Sequence, residues 1–320
     1  MKPIRCAVVG AGHFGRYHAQ KYAAMPDVRL VAVVDADPAR AQSIAREVGC
    51  AAHSDLGAVL GAIDAASVAV PTVAHHGVAA RLLEAGVNVL IEKPIAATLA
   101  EADDLVAIAA RRGLVLQVGH LQRFLLRRME IPARVAKPLY VEASRIAPFK
   151  PRGTDVGVVL DLMIHDIDLV QSLTPAPLAS VDAIGAPVVT TTEDMVNARL
   201  RFADGCVATL VASRVGAATE RRLRIYQRDS YLNVDLAARR LVELRRGNGP
   251  EPAPGLPGLA RAERAYPESD DLAEQIADFV ACVRDGRPPL VGGADGRRAL
   301  ETALRILASL RDNLRAAGLV

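Results

Sequence analysis

Along the first 120 residues, short apolar runs alternate with segments whose apolar positions recur at helical spacing. Ile4 to Val9, Leu30 to Val34, Ala65 to Val70, Val87 to Ile91 and Leu114 to Val118 read as strands. They are nearly continuous in aliphatic residues, as a sheet covered on both faces demands. Helices are expected between them. His13 to Ala24 stops near Pro26, and Pro38 to Val48 starts on Pro and ends before Gly49. Val73 to Ala85 is closed by Gly86, and Leu99 to Arg112 by Gly113. This alternation predicts βαβ units and a parallel sheet.

After about residue 120 the pattern changes. Leu139 to Ile146 is strand-like, and Leu160 to Leu173 is a strongly apolar helix. From Val181 to Leu244 strand-like runs dominate: Val196 to Phe202, Cys206 to Val215, Leu223 to Tyr226 and Tyr231 to Val234. Ala203-Asp204-Gly205 reads as a hairpin turn between two of them. Gly247 to Gly258 reads as a surface loop, and helices near Asp271 to Arg284 and Arg297 to Ala316 finish the chain. The fold class expected is α/β in two domains. Residues 1–120 carry the parallel sheet, and residues 121–320 carry a large open, mostly antiparallel sheet.

Composition narrows the function. The chain has 320 residues, 51% of them hydrophobic but only 3% aromatic and none Trp, so aliphatic side chains fill the interior. The net charge of +3 is scattered, with no basic stripe of the kind that binds nucleic acid. No apolar run reaches the roughly 18 residues of a membrane span. The apolar run after Lys2 and Arg5 is broken too early, at Gly10 and Gly12, for a secretion signal. Cys6, Cys50, Cys206 and Cys282 form no CxxC pair and fit reduced thiols in a cytoplasmic protein.

Gly10-Ala11-Gly12-His13-Phe14-Gly15 matches GxGxxG between a buried strand and a helix, the context of a dinucleotide-binding Rossmann turn. The first Gly permits the turn, the second lets backbone approach the pyrophosphate, and the third allows helix–strand packing. Asp35 ends the second strand, where an acidic residue binds the ribose hydroxyls of NAD and repels the 2′-phosphate of NADP. Arg40, five residues on, partly softens that preference.

Two further constellations carry candidate chemistry. Glu92-Lys93-Pro94 follows a strand whose carboxyl end faces the ligand crevice of an open α/β sheet. Asp161, His165 and Asp168 fall at i, i+4 and i+7 on a helix that is otherwise almost wholly apolar. Such a helix is buried, and buried ionisable groups are costly unless paired. That stripe is a satisfied structural network, a metal site lacking further evident ligands, or a catalytic face. Oxidising a secondary alcohol needs a base within hydrogen-bond reach of the hydroxyl. His165 oriented by Asp161 meets that need. A desolvated Lys93 acts as base or stabilises the developing alkoxide.

Together these motifs resemble the glucose–fructose oxidoreductase / inositol dehydrogenase (Gfo/Idh/MocA) family. Pro71-Thr72-Val73-Ala74-His75 is similar to a family segment in which Asn stands at the position of Thr72. Asp278-Phe279-Val280, Gly286-Arg287-Pro288 and Asp295-Gly296 are similar to its C-terminal signature. The resemblance implies a Rossmann domain and an open-sheet domain, NAD as cofactor, and a homodimer or homotetramer. It implies Lys93, Asp161 and His165 as a coupled catalytic unit in which the proton acceptor differs between members. It places Gly10, Gly12, His13, Phe14, Gly15, Asp35, Arg40, Pro71, Thr72, His75, Glu92 and Lys93 at the cofactor.

A narrower resemblance lies in Pro148 to Asp155 and Val159 to Asp168. It points to members that oxidise the 3-hydroxyl of UDP-N-acetylglucosamine, for an aminotransferase on the way to amide-linked lipid A. With that substrate, Arg145, Lys150 and Arg152 would contact the diphosphate, Arg and Lys being suited to phosphate. A solvated basic loop is the alternative. The chain has Gly157-Val158 where the family often has two glycines before its Asp. Dehydrogenation of a free sugar or inositol, and a non-catalytic NAD-binding regulator, remain competing readings.

Overall fold

Buried aliphatic strands build the first unit. In the computed structural model, residues 2–149, 156–247, 256 and 258–318 are described. The first unit begins β1 (Ile4–Val9), α1 (His13–Ala24), β2 (Val28–Val34), α2 (Pro38–Val48), β3 (Ala51–His53) and β4 (Ala65–Val68). It continues α3 (His75–Glu84), β5 (Asn88–Ile91), α4 (Leu99–Arg112) and β6 (Leu116–Val118). The strands form one six-stranded sheet in the order β3-β2-β1-β4-β5-β6, every pairing parallel. Helix ends follow local chemistry. Asp37 accepts the Ala39 and Arg40 amides, Thr98 and Glu101 form a reciprocal capping box, and Gly49 and Gly113 end their helices left-handed. The short β3 has too little patterning to stand out in the sequence.

The second unit begins within α5 (Gln122–Arg128) and contains α6 (Ile131–Arg134), β7 (Tyr140–Ile146), a π-helical turn at Val159–Met163 and α7 (Ile164–Leu173). Then come β8 (Leu178–Ala186), β9 (Met195–Phe202), β10 (Val207–Ser213), β11 (Glu220–Tyr226), β12 (Ser230–Asp235), β13 (Arg240–Arg246) and β14 (Leu259–Ala265). They form an eight-stranded sheet in the order β14-β13-β12-β11-β7-β10-β9-β8. Only β7 and β10 pair in parallel. On β7, Val141, Ala143 and Arg145 are buried while Tyr140, Glu142 and Ser144 are half-buried. The buried face receives α7. The expected loop at 247–258 lies almost entirely outside the described residues.

The division of the chain differs from a single cut after residue 120. The first unit comprises 1–124 and 270–300, and the second comprises 125–269 and 301–320. The reason is packing. On α8 (Asp271–Asp285), Ile276, Phe279 and Val280 join the cluster of Cys6, Val8, Tyr22 and Leu90. Asp27 pairs with Arg284 at 2.5 Å, and Lys21 pairs with Asp270. The last helix, α9 (Gly293–Ala316), begins four residues before the expected Arg297.

The apolar helix expected over Leu160 to Leu173 is two structures. Its first turn is π-helical, so a strict i, i+4, i+7 face does not describe Asp161, His165 and Asp168. Such turns recur at functional sites. Asp161 and His165 are half-buried, whereas Asp166 and Asp168 are buried.

Candidate functional site

In the first unit the glycine turn forms one wall of a cleft of about 720 Å³. Gly10 has φ +103°, and a Cβ there would stand 2.5 Å from the Ala69 carbonyl oxygen. Any other residue would be strained and would clash. A Cβ on Gly15 would lie 1.8 Å from the Gly10 carbonyl oxygen, so the third glycine serves helix–strand contact. A Cβ on Gly12 would meet nothing within 4 Å. No protein contact requires glycine there, which fits a backbone left open to a ligand. No side chain caps the start of α1, so its amides are available to a phosphate.

Asp35 lines the same cleft. Its carboxylate accepts the Ala11 amide at 2.5 Å and the Asp37 amide at 2.8 Å, so it also clamps the glycine turn to the end of β2. Arg40 lines the cleft and is paired with Asp37 at 3.2 Å, which draws its charge away from a 2′-phosphate. His13 and Phe14 are exposed at the cleft, and the His13 ring packs edge-on against Phe14 and Tyr17. Pro71 lines it as well, and Thr72 opens a 3-10 turn, Thr72–Ala74.

His75 and Glu92 have partners that the sequence did not reveal. His75 is buried, with its ring nitrogens 2.8 Å from the Pro94 carbonyl and 3.0 Å from the Val70 carbonyl. It therefore ties the turn after Lys93 to the end of β4. Burial lowers its pKa, against the pull of both carbonyls and the Glu92 charge. Glu92 is buried and sits 3.1 Å from the His18 ring, whose other nitrogen is 2.9 Å from Ser67 Oγ. Tyr22 completes this buried chain at 2.8 Å from Ser67. The chain holds the residue before Lys93 in place. No local pattern announces it, because its members lie on α1, β4 and the end of β5.

Lys93 is half-buried and joined to Pro94 by a cis peptide bond. His120, fully buried, feels its charge. Burial first, then Arg123 and Lys93, push the His120 pKa down to about 3, with Glu92 and Asp295 opposing. The sign for stability follows from linkage. Below its ordinary pKa an unfolded His takes a proton that the folded one refuses, so stability falls as pH drops from about 6.5 toward the folded value. His120→Phe is expected to flatten this acid limb in urea titrations across that range. An unchanged slope would refute the assignment.

In the second unit the π turn is held by its entry. The Val158 amide donates to the Glu193 carbonyl at 3.1 Å, and Arg214 donates to the Val156 carbonyl. A Cβ on Gly157 would meet only the carboxylate end of the flexible Glu193 side chain, which can swing aside, so packing alone does not demand glycine here. Asp194, fully buried, accepts the amides of Val188, Val189 and Thr190 at 2.8, 2.6 and 2.8 Å. Desolvation opposes its charge, but these hydrogen bonds prevail and hold its pKa at about 2.

Arg145 is not placed as an open phosphate contact. It is buried, and its guanidinium grips Asp166 through two hydrogen bonds of 2.9 and 2.6 Å. A carboxylate 21 residues away consumes the charge, which the sequence could not show. Lys150 and Arg152 lie outside the described residues. Among the described residues, no group of three or more His, Cys, Asp and Glu could hold a metal ion, and no helix is long and apolar enough to cross a membrane.

The chain is similar to known oxidoreductases along nearly its whole length. Residues 4–120 match the model of the GFO_IDH_MocA oxidoreductase family with its NAD-binding Rossmann fold. Residues 137–231 match a GFO/IDH/MocA C-terminal domain. The chain is 41% identical over 308 residues to UDP-N-acetylglucosamine 3-dehydrogenase of Acidithiobacillus ferrooxidans, covering 95% of this chain and 96% of the relative. A solved structure of that dehydrogenase superposes with a TM-score of 0.91 at 40% identity, over 97% of this chain and 98% of the other. The NAD-dependent scyllo-inositol 2-dehydrogenase of Bacillus subtilis is 26% identical over 97% of this chain and 95% of its own.

Proposed function

The chain belongs to the Gfo/Idh/MocA oxidoreductase family, and from that premise we propose that it oxidises the 3-hydroxyl of UDP-N-acetylglucosamine to the 3-keto sugar nucleotide with NAD. The observation that carries this reading is the 41% identity to an enzyme of that activity along nearly the whole of both chains.

The open backbone at Gly12, the uncapped start of α1 and the carboxylate of Asp35 fit a dinucleotide. Gly10, Gly12, His13, Phe14, Gly15, Asp35, Arg40, Pro71 and Thr72 would hold NAD, which when bound supplies the hydride acceptor. His75 and Glu92 act through the backbone around Lys93, fixing where its ammonium can go. Proton transfer falls to Lys93, Asp161 and His165 as a coupled unit. His165 takes the hydroxyl proton, the Asp161 carboxylate favours the imidazolium that forms, and Lys93 Nζ stabilises the alkoxide.

Assembly and setting complete the proposal. The face of the eight-stranded sheet opposite α7 carries Tyr140, Glu142, Arg224 and Tyr226. There the Tyr140, Tyr226 and Tyr231 rings lie 5.6 and 4.8 Å apart in sequence of contact. Such a face suits a homodimer or homotetramer. The protein works in the cytoplasm, and its ketone is a substrate for an aminotransferase supplying lipid A synthesis.

Purified protein mixed with NAD and UDP-N-acetylglucosamine, with hydroxylamine to trap the ketone, is expected to generate NADH. Turnover of myo-inositol without turnover of the sugar nucleotide would overturn this reading.

A further inference from the structure

Two arginines stand side by side on the helix-covered face of the second unit's sheet, and the carboxylate near them, Asp166, is bound to only one. Arg221 on β11 is the cross-strand partner of Arg145 on β7. Directly opposed residues have Cβ atoms only about 4.5–5.5 Å apart, and like charges there destabilise the pair. Arg145 is satisfied by its double hydrogen bond to Asp166. Arg221 makes no hydrogen bond or ion pair to any side chain among the described residues. Its surroundings disfavour its charge. Partial burial and the Arg145 cation lower its pKa, and Asp166 only partly compensates.

A half-desolvated guanidinium beside a second cation, with its own carboxylate already engaged, is a vacancy for an anion. The place is also specific. Asp166 follows His165 directly on α7, so the Asp166–Arg145 clasp links Arg221 to the helix that presents the candidate base. A guanidinium offers a planar fork that matches paired phosphate oxygens. Arg221 is exposed as a residue, whereas Arg145 is buried, so a ligand can reach it.

We propose that Arg221 is the residue of the sheet that binds the diphosphate of the sugar nucleotide, the role that Arg145 cannot fill because Asp166 occupies it. The proposal rests on the reading of the substrate as a nucleoside diphosphate sugar. Arg145 and Asp166 act as positioning residues, holding Arg221 at a fixed distance from His165.

The test is UDP binding by calorimetry to the full-length protein, with uridine as the phosphate-free control. Arg221→Ala is expected to weaken UDP by about 10- to 100-fold, the worth of a charge-assisted contact, and to leave uridine unchanged. Arg221→Lys should recover part of the loss. Both variants should keep the wild-type unfolding midpoint or exceed it, since a like-charge neighbour has gone. In turnover, KM for UDP-N-acetylglucosamine should rise while kcat holds, the signature of a contact made equally in ground and transition states. Equal UDP affinity in wild type and Arg221→Ala, or no UDP binding by wild type, overturns the proposal. If wild type binds UDP through Arg221 yet oxidises no UDP-N-acetylglucosamine, the substrate reading fails and the anion site stands.

Discussion

Lys93→Ala and His165→Ala are each expected to lower kcat by about 10²- to 10⁴-fold, the range typical of a positioned acid or base. NAD affinity should change little. The residues that shape the dinucleotide cleft are the glycine turn and Asp35, and neither substitution touches them. Burial separates the candidates from their neighbours. Asp161, His165 and Lys93 are half-buried and able to meet a ligand, whereas Asp166, Asp168 and Glu92 are buried. The two variants should also be strongly non-additive, because residues acting as one proton-transfer unit fail together. Turnover by NADH absorbance and NAD binding by calorimetry give the two readouts. Near-normal turnover in both variants would remove the assignment.

Asp166→Ala is expected to cost about 3–5 kcal/mol of stability, because it strands a buried guanidinium without its carboxylate. The Arg145 and Asp166 side chains are each only 4% exposed, so water cannot take the place of the lost partner. Arg221 beside them adds a second positive charge to the one left behind. Arg145→Met with Asp166→Leu should recover most of that loss, since an apolar pair of similar volume escapes the desolvation penalty. Activity should separate the variants further. The double variant restores packing but frees Arg221 from its fixed neighbour, so its KM for the sugar nucleotide should remain high. Urea unfolding of the single and double variants measures the effect. A single variant as stable as wild type would show that the pair holds nothing together.

The parallel sheet was legible because every strand but the short β3, and every long helix, of the first 118 residues carries its own period. The glycine turn and Asp35 were legible for the same reason: their chemistry is local to a strand end. What escaped was long-range. The π turn at Val159–Met163 cannot be seen in side-chain periodicity when nearly every position is apolar. β13 and β14 are rich in Arg and Glu on a solvated sheet, so no apolar alternation marked them. The partner of Arg145 is on another element, and the register that sets Arg221 beside it is equally long-range, so no local pattern announces either. His75 and Glu92 were expected at the cofactor, and the partners they have in the structure belong to α1, β4 and the turn at Pro94.

The first unit is sewn from two stretches of chain with some 145 residues of the second unit inserted between them, from 125 to 269. Synthesis runs in one direction. All six strands of the parallel sheet therefore leave the ribosome before Ile276, Phe279 and Val280, the residues that cover Cys6, Val8 and Leu90. At about 5–20 residues per second, the nascent sheet waits roughly 10–30 s for its last helix. During that interval an apolar surface beside α1 stands open to chaperones and to other newborn chains. The sheet of the inserted unit is complete by residue 265, although that unit too awaits a late segment, 301–320. The dinucleotide turn, first to be translated, thus rests on a core that is among the last to be finished.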